Sequence, residues 1–230
     1  MRRRGWIALA LTLAGCATPA PPATWADFSL MGTTQGAEIG ADGQPASRFA
    51  WSVGADGEAH VRWGDPRRWP PNYRERFRRE GDWVMLDGWW DNGTYYRLAL
   101  AREEICDAGC AQCTPLAGGG GPQHYVRWQL PAQAYCLRAA GRIIEESSGK
   151  ATRFEHEQVW FPPGPCRNAN FGERRCIRQL ERWWDDNGAP FTLKLERTNW
   201  LARGLGPGFI IEQTHPKPWR AEMTSTKDTP

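Results

Sequence analysis

The sequence predicts an all-β fold, an antiparallel barrel or a two-sheet sandwich of about 10–12 strands stapled by disulfides. Three observations lead there. Short apolar segments alternate with polar residues at period two and are separated by turn residues from Ser47 onward. The 230 residues include 25 Gly, 18 Pro and 14 Trp, a composition that favours short strands and tight turns over helices. Six of the seven cysteines fall between Cys106 and Cys176, where they can cross-link strand ends.

The amino terminus stands apart. Arg2-Arg3-Arg4 precede an apolar run, Trp6 to Leu13, that is far shorter than the roughly 20 residues a membrane-spanning helix needs. Positive charge before the run and small residues after it read as a secretory signal peptide. The run ends in Leu13-Ala14-Gly15-Cys16, which resembles the lipobox of bacterial lipoproteins. In that family a signal peptidase cuts before the cysteine, and the thiol carries diacylglycerol with acyl chains such as palmitate. The resemblance implies a signal peptide over residues 1–15, lipidation at Cys16 and a partner in the membrane of the bacterial cell envelope. Asp after the cysteine favours retention in the inner membrane in that family, so Ala17 implies the outer one. Residues 16–24, rich in Pro and Ala, cannot build a core and read as a lipidated tether. One all-β domain is expected over 25–223, followed by a polar frayed tail over 224–230.

Removing the signal changes the charge. The full chain is +3, and residues 1–15 hold three Arg and no acid, so the mature side chains sum to about zero. Nothing in the overall balance points to nucleic acid as a partner. Arg74, Arg76, Arg78 and Arg79 form a local basic run, but Glu75 and Glu80 interleave with them, as expected of a solvated face.

Within the domain, Phe49, Trp51 and Val53 alternate with Ala50 and Ser52, and after Gly54-Ala55-Asp56-Gly57 the residues Ala59, Val61 and Trp63 alternate with Glu58, His60 and Arg62, a hairpin signature. Pro66, Pro70 and Pro71 interrupt the pattern. Asn72 to Glu80 reads as a short helix, with Tyr73 and Phe77 four apart on one side. Trp83 to Trp90 is apolar on both faces and leads through Asn92-Gly93, a tight-turn pair, into a strand from Tyr95 to Arg102. The device recurs at Trp183-Trp184-Asp185-Asp186-Asn187-Gly188, either as an old duplication or because hairpin chemistry repeats itself. Between the two lie a loop ending in Gly118 to Gly121 and strands over Val126–Leu130, Tyr135–Ile143 and Lys150–Phe161. Pro162-Pro163-Gly164-Pro165 is expected to end the last of these. Strands over Arg174–Trp184, Phe191–Leu201 and Phe209–Ile211 complete the domain.

With Cys16 assigned to lipid, Cys106, Cys110, Cys113, Cys136, Cys166 and Cys176 read as three disulfides in an exported chain. Cys166 with Cys176 is the expected small-loop pair, the other four pairing among themselves. Cys106, Cys110 and Cys113 share the spacing of the iron–sulfur motif of radical S-adenosylmethionine enzymes. That family places an aromatic residue where Gln112 stands, and its alternating strand–helix fold is not predicted here. Cys110-Ala111-Gln112-Cys113 lacks the following helix that activates a thioredoxin-type thiol. It also lacks the histidine of a haem attachment site. No phosphate-binding loop, metal-ligand pair or serine nucleophile elbow occurs, so neither cofactor nor metal is expected.

Two groups of side chains carry candidate chemistry. Glu155 and Glu157 on one strand face lie about 7 Å apart at their α-carbons, a spacing compatible with the carboxylate pair of glycoside hydrolysis. The stretch resembles the acid ladder of jelly-roll glucanases, with Val159 in place of the third acid. The competing reading pairs these carboxylates with arginines across the sheet. Trp89, Trp90, Asp91 and Trp183, Trp184, Asp185 combine stacking surface with hydroxyl acceptors, as sugar sites do; adjacent tryptophans also point to opposite faces, which puts one of each pair in the core. The function expected is therefore a lipid-anchored envelope protein with a periplasmic or surface-exposed binding or structural domain. Carbohydrate binding or cleavage at Glu155/Glu157, and carriage of an apolar ligand inside a barrel, are the alternatives.

Overall fold

The computed structural model describes residues 21–28, 32–39, 45–53, 58–63, 73–116, 120–187 and 190–226. The expected signal peptide, Cys16 and most of the expected tether lie outside the described residues, as do Gly118–Gly119 and the Gly54–Gly57 stretch expected to turn. A four-residue helix, α1 (Trp25–Phe28), opens the domain. Among the described residues fourteen strands follow: β1 (Gly32–Ile39), β2 (Pro45–Val53), β3 (Glu58–Trp63), β4 (Tyr73–Glu80), β5 (Trp83–Asp91), β6 (Thr94–Asp107) and β7 (Cys113–Pro115). Then come β8 (Gln123–Arg127), β9 (Tyr135–Glu145), β10 (Ala151–Asn168), β11 (Gly172–Asp185), β12 (Thr192–Ala202), β13 (Gly206–His215) and β14 (Trp219–Thr226).

All strands belong to one antiparallel sheet in the order β7-β6-β9-β10-β11-β12-β13-β14-β1-β2-β3-β4-β5-β8. Strands β5 and β6 stand near opposite ends of that order, yet they also pair as a hairpin from Asp91↔Thr94 to Gly88↔Arg97. The sheet therefore curls until its two ends meet. The meeting spans only this hairpin; beyond it β5 pairs with β8 and β6 with β7, so closure is incomplete. The all-β expectation holds, and a single curled sheet takes the place of a two-sheet sandwich.

The hairpin turns on Asn92 and Gly93, at φ 48° and 85°, the positive angles that Asn-Gly adopts at low cost. Along the gap between β6 and β8, side chain and loop replace the missing ladder. Glu103 accepts from the His124 backbone N–H at 2.6 Å and contacts His124 Nδ1 at 2.6 Å. The loop N–H groups of Leu116 and Gly120 donate to the Glu103 and Leu100 carbonyls. Backbone groups left along such a gap would otherwise be orphaned.

Three local expectations differ from what forms. Residues Tyr73–Glu80 are strand β4, not a helix. A spacing of four falls on one face in a strand as well as in a helix, so Tyr73 and Phe77 did not discriminate between them. Strand β10 does not stop at Pro162; its register with β11 shifts between Phe161 and Gly164, and pairing resumes to Asn168↔Gly172. The bulge takes up the prolines, which have no N–H to give to a ladder. Strand β14 runs to Thr226, three residues into the stretch expected to be a frayed tail, and pairs there with Thr34 of β1.

The extended β10–β11 tip docks on β13 and β14. Buried Asn168 donates from Nδ2 to the Phe209 and Met223 carbonyls at 2.8 and 3.2 Å. Three disulfides form: Cys106–Cys113, Cys110–Cys136 and Cys166–Cys176. The first two join β6, β7 and β9 and pack with Val159, Phe161 and Leu180 on one face of the sheet. The third ties β10 to β11 beyond the proline bulge.

Candidate functional site

The inward face is set by which residues of each strand are buried together. On β10 these are Phe154, His156, Gln158 and Trp160, all almost wholly buried. On β11 the matching row is Trp183, Glu181, Gln179 and Ile177; on β12 it is Arg197, Asn199 and Leu201. Each row reads apolar at one or both ends and polar in the middle. One end of the interior is closed by Phe28 and Trp25 of α1 against Trp160, Tyr135, Leu137, Ile177 and Leu201. At the other, Phe154, Leu86, Leu98 and Leu100 gather, with Trp89 and Trp183 against them. Between these two apolar layers lies a polar belt.

The belt is built of three hydrogen-bonded groups. His156 contacts Glu181 Oε1 through Nε2 at 3.0 Å, and its Nδ1 lies 2.9 Å from Gln123 Nε2. With Nε2 protonated, His156 donates to the carboxylate and accepts from the Gln123 amide. Arg197 Nε donates to the other Glu181 oxygen at 2.6 Å. Asn199 donates to Gln179 and Gln179 to Gln158, both at 2.8 Å. On β4, Tyr73 donates its hydroxyl to Glu75 at 2.8 Å, on the face that also carries Phe77.

Charge within the belt centres on Arg197, which faces both Glu181 and Glu75. Burial alone would raise the Glu181 carboxyl, but Arg197 and His156 together outweigh it and hold its pKa at about 2. Desolvation opposes the Arg197 charge in turn, and the Glu181 and Glu75 carboxylates overcome this and raise its pKa. Glu75 differs. Burial raises its pKa, and the Arg197 charge and the Tyr73 hydroxyl lower it only in part. Desolvation, with Glu75 and Glu181 nearby, also lifts the pKa values of Tyr73 and Tyr125, which keeps both hydroxyls protonated.

Two buried donors in this interior, Gln158 Nε2 and Trp160 Nε1, have no acceptor among the described residues. Every other belt contact pairs a donor with an acceptor, so these two N–H groups are what the interior leaves to be satisfied.

The residues singled out in the sequence are distributed differently. Glu155 and Glu157 lie on the face of β10 opposite His156. There Glu157 is held by Arg138 at 3.2 Å and Arg182 at 3.8 Å. The tandem tryptophans split as adjacent strand residues must. Trp89 and Trp183 turn inward and meet edge to face, with centroids 6.1 Å apart, and Trp183 stacks on Phe154 at 4.8 Å. Trp90 turns out, with Arg74 over it at 4.3 Å and Arg76 at 5.2 Å. Asp91 accepts from Asn92, and Asp185 from Trp183 Nε1 and the Asn187 N–H, so both acids are engaged beside their turns. Glu75 does not neutralise Arg74 and Arg76, since the pleat sends it to the opposite face of β4. Among the described residues, the one cluster with metal-ligand spacing is Glu104, Cys106 and Cys113, and its sulfurs are bonded to each other.

The belt itself was not anticipated. Its signal is present, however, in three neighbouring strands whose alternate residues read Phe-His-Gln-Trp, Ile-Gln-Glu-Trp and Arg-Asn-Leu.

No protein-family model matches the chain, and no curated protein does. Among solved structures, a candidate lipoprotein from Parabacteroides distasonis is similar at 11% identity and a TM-score of 0.43, over 87% of this chain and 98% of that one. A candidate exported protein with a YmcC-like fold from Bacteroides fragilis is similar at 9% identity and a TM-score of 0.39, over 86% and 97% of the two chains. Likenesses this distant assign no role.

Proposed function

We propose that the protein is a lipid-anchored component of the bacterial cell envelope, held by Cys16 in the outer membrane, that binds a ligand inside its curled sheet. The observation that carries the binding role is the polar belt with its two unmatched buried donors, Gln158 Nε2 and Trp160 Nε1. A buried donor without an acceptor costs about 1–3 kcal/mol, and a ligand offering acceptor atoms at the belt removes that cost. Apolar layers above and below favour a ligand whose polar groups sit between apolar parts. A wholly apolar cargo fits less well, because it would desolvate the belt without answering its donors. Catalysis at Glu155/Glu157 draws no support from the geometry, with Glu157 engaged by two guanidinium groups.

The test is native mass spectrometry of the lipidated protein drawn from its own membranes in mild detergent. A bound species beyond the polypeptide and its acyl chains is expected, and Trp160→Phe, which removes one donor and keeps an aromatic ring, should weaken its retention. A mass of polypeptide plus anchor alone for the parent protein would make the belt a purely structural network.

A further inference from the structure

The place where the chain enters the domain carries a second feature. Ala23 accepts a hydrogen bond from the Leu130 N–H at 2.9 Å, Thr24 bridges to Gln129, and Trp25 donates to the Trp128 carbonyl at 2.7 Å. The end of the tether is thus fixed against the segment that follows β8. Two arginine–tryptophan pairs surround that point. Arg79 lies over the Trp128 ring at 4.2 Å, and Arg127 lies over the Trp83 ring at 5.0 Å. The Trp128 N–H donates to the Asp82 carbonyl at 2.8 Å, which joins both pairs and the β4–β5 turn into one rim. Both arginines are exposed, both indoles are partly exposed, and neither arginine forms a salt bridge among the described residues.

We infer that this rim rests on the phospholipid headgroup layer of the membrane that carries the anchor. The inference depends on lipidation at Cys16. From there to Ala23 the chain can span at most about 25 Å at full extension, so the fixed end of the tether cannot stand farther than that from the lipid. Indole rings and guanidinium groups are the side chains suited to this layer, since ring bodies sit at the apolar boundary while the charges meet phosphate. Of the acids nearby, Glu80 pairs with Arg78 at 2.9 Å, and Asp27 with Arg203 at 3.4 Å and the Thr24 N–H at 2.6 Å; Asp82 in the β4–β5 turn is exposed, so the rim sets two guanidinium groups against one carboxylate and stays net positive.

The experiment is arginine footprinting with phenylglyoxal on the full lipidated protein, read by peptide mass spectrometry, in phospholipid vesicles and in a nonionic detergent without phosphate. Arg153, 63% exposed by side chain at the far end of β10, is the internal reference. Modification of Arg79 and Arg127 should fall severalfold in vesicles while Arg153 is unchanged. In an Arg79→Glu/Arg127→Glu variant, the peptide over residues 127–130 should lose the hydrogen-exchange protection that vesicles give the parent. Equal modification in both media, with the acylated mass intact and the protein floating with the vesicles, overturns the rim and leaves the anchor standing. Equal modification arising because a partner protein covers the rim in both media overturns it too, and that cover would appear as a cross-link. A mass without acyl chains removes the anchor and the rim together.

Discussion

Replacing Arg197 by Met tests the electrostatics of the belt directly. Glu181 is 8% exposed, and its carboxylate is held by Arg197 at 2.6 Å and His156 at 3.0 Å. Its pKa falls from 4.5 to about 2, a gap worth about 3 kcal/mol of folding stability at about 1.4 kcal/mol per tenfold change in proton affinity. Because the folded-state value is the depressed one, this contribution is fully present above about pH 4.5 and is lost as pH falls towards 2. Arg197→Met leaves a buried carboxylate with one partner and should cost roughly 3–5 kcal/mol at pH 7. The loss should be smaller at pH 3, where the mutant's Glu181 takes up a proton. Glu181→Gln should cost less than Arg197→Met, because Glu75 remains within range of the guanidinium. Adding Glu181→Gln to Arg197→Met should recover part of the loss by removing the stranded charge. Urea unfolding followed by tryptophan fluorescence at both pH values, with disulfides intact, measures each case. A cost below about 1 kcal/mol for Arg197→Met, or a double variant as unstable as the sum of the two singles, would refute this electrostatic account.

Three other perturbations have defined outcomes. At Gly141 an added Cβ would stand 2.2 Å from the Ala99 carbonyl oxygen and 2.9 Å from Leu100 Cα; Gly141→Ala should therefore destabilise by at least about 1–3 kcal/mol, visible as a lower urea midpoint. Trp183→Ala should destabilise by at most about 3–5 kcal/mol through loss of its contacts with Phe154 and Trp89, and by more than Trp184→Ala on the opposite face, and a thermal melt separates the two. Glu103→Ala should unfasten β8 from β6, so hydrogen exchange across Gln123–Arg127 should accelerate while β10 and β11 stay protected.

Much of the fold was legible in the chain. Period-two alternation marked most of the strands, because a half-buried pleat shows it whatever its neighbours are. Asn92-Gly93 marked the β5–β6 hairpin because few other pairs accept two positive φ angles. Cys166 and Cys176 were expected to bond, being close in sequence at the ends of two strands that a short turn would bring together. The failures were equally local. Spacing by four could not separate helix from strand in Tyr73–Glu80, and a proline cluster looked like a strand end where it is a bulge.

The site was less legible, for a different reason. Alternation says which residues share a face but not which face is inside, so Glu155 and Glu157 drew attention while His156 between them was the residue turned to the interior. Glu181, Arg197 and Gln158 each look like ordinary exposed strand residues until β10, β11 and β12 are placed side by side. The sequence by itself therefore determined the all-β class, the Asn92-Gly93 turn and the number of cross-links, which follow from local alternation, turn chemistry and the cysteine count. Only the tertiary structure decided that the sheet curls on itself, that Trp89 and Trp183 meet, and that a polar belt lies between two apolar layers. Those depend on strand order and register, which bring together residues far apart in the chain.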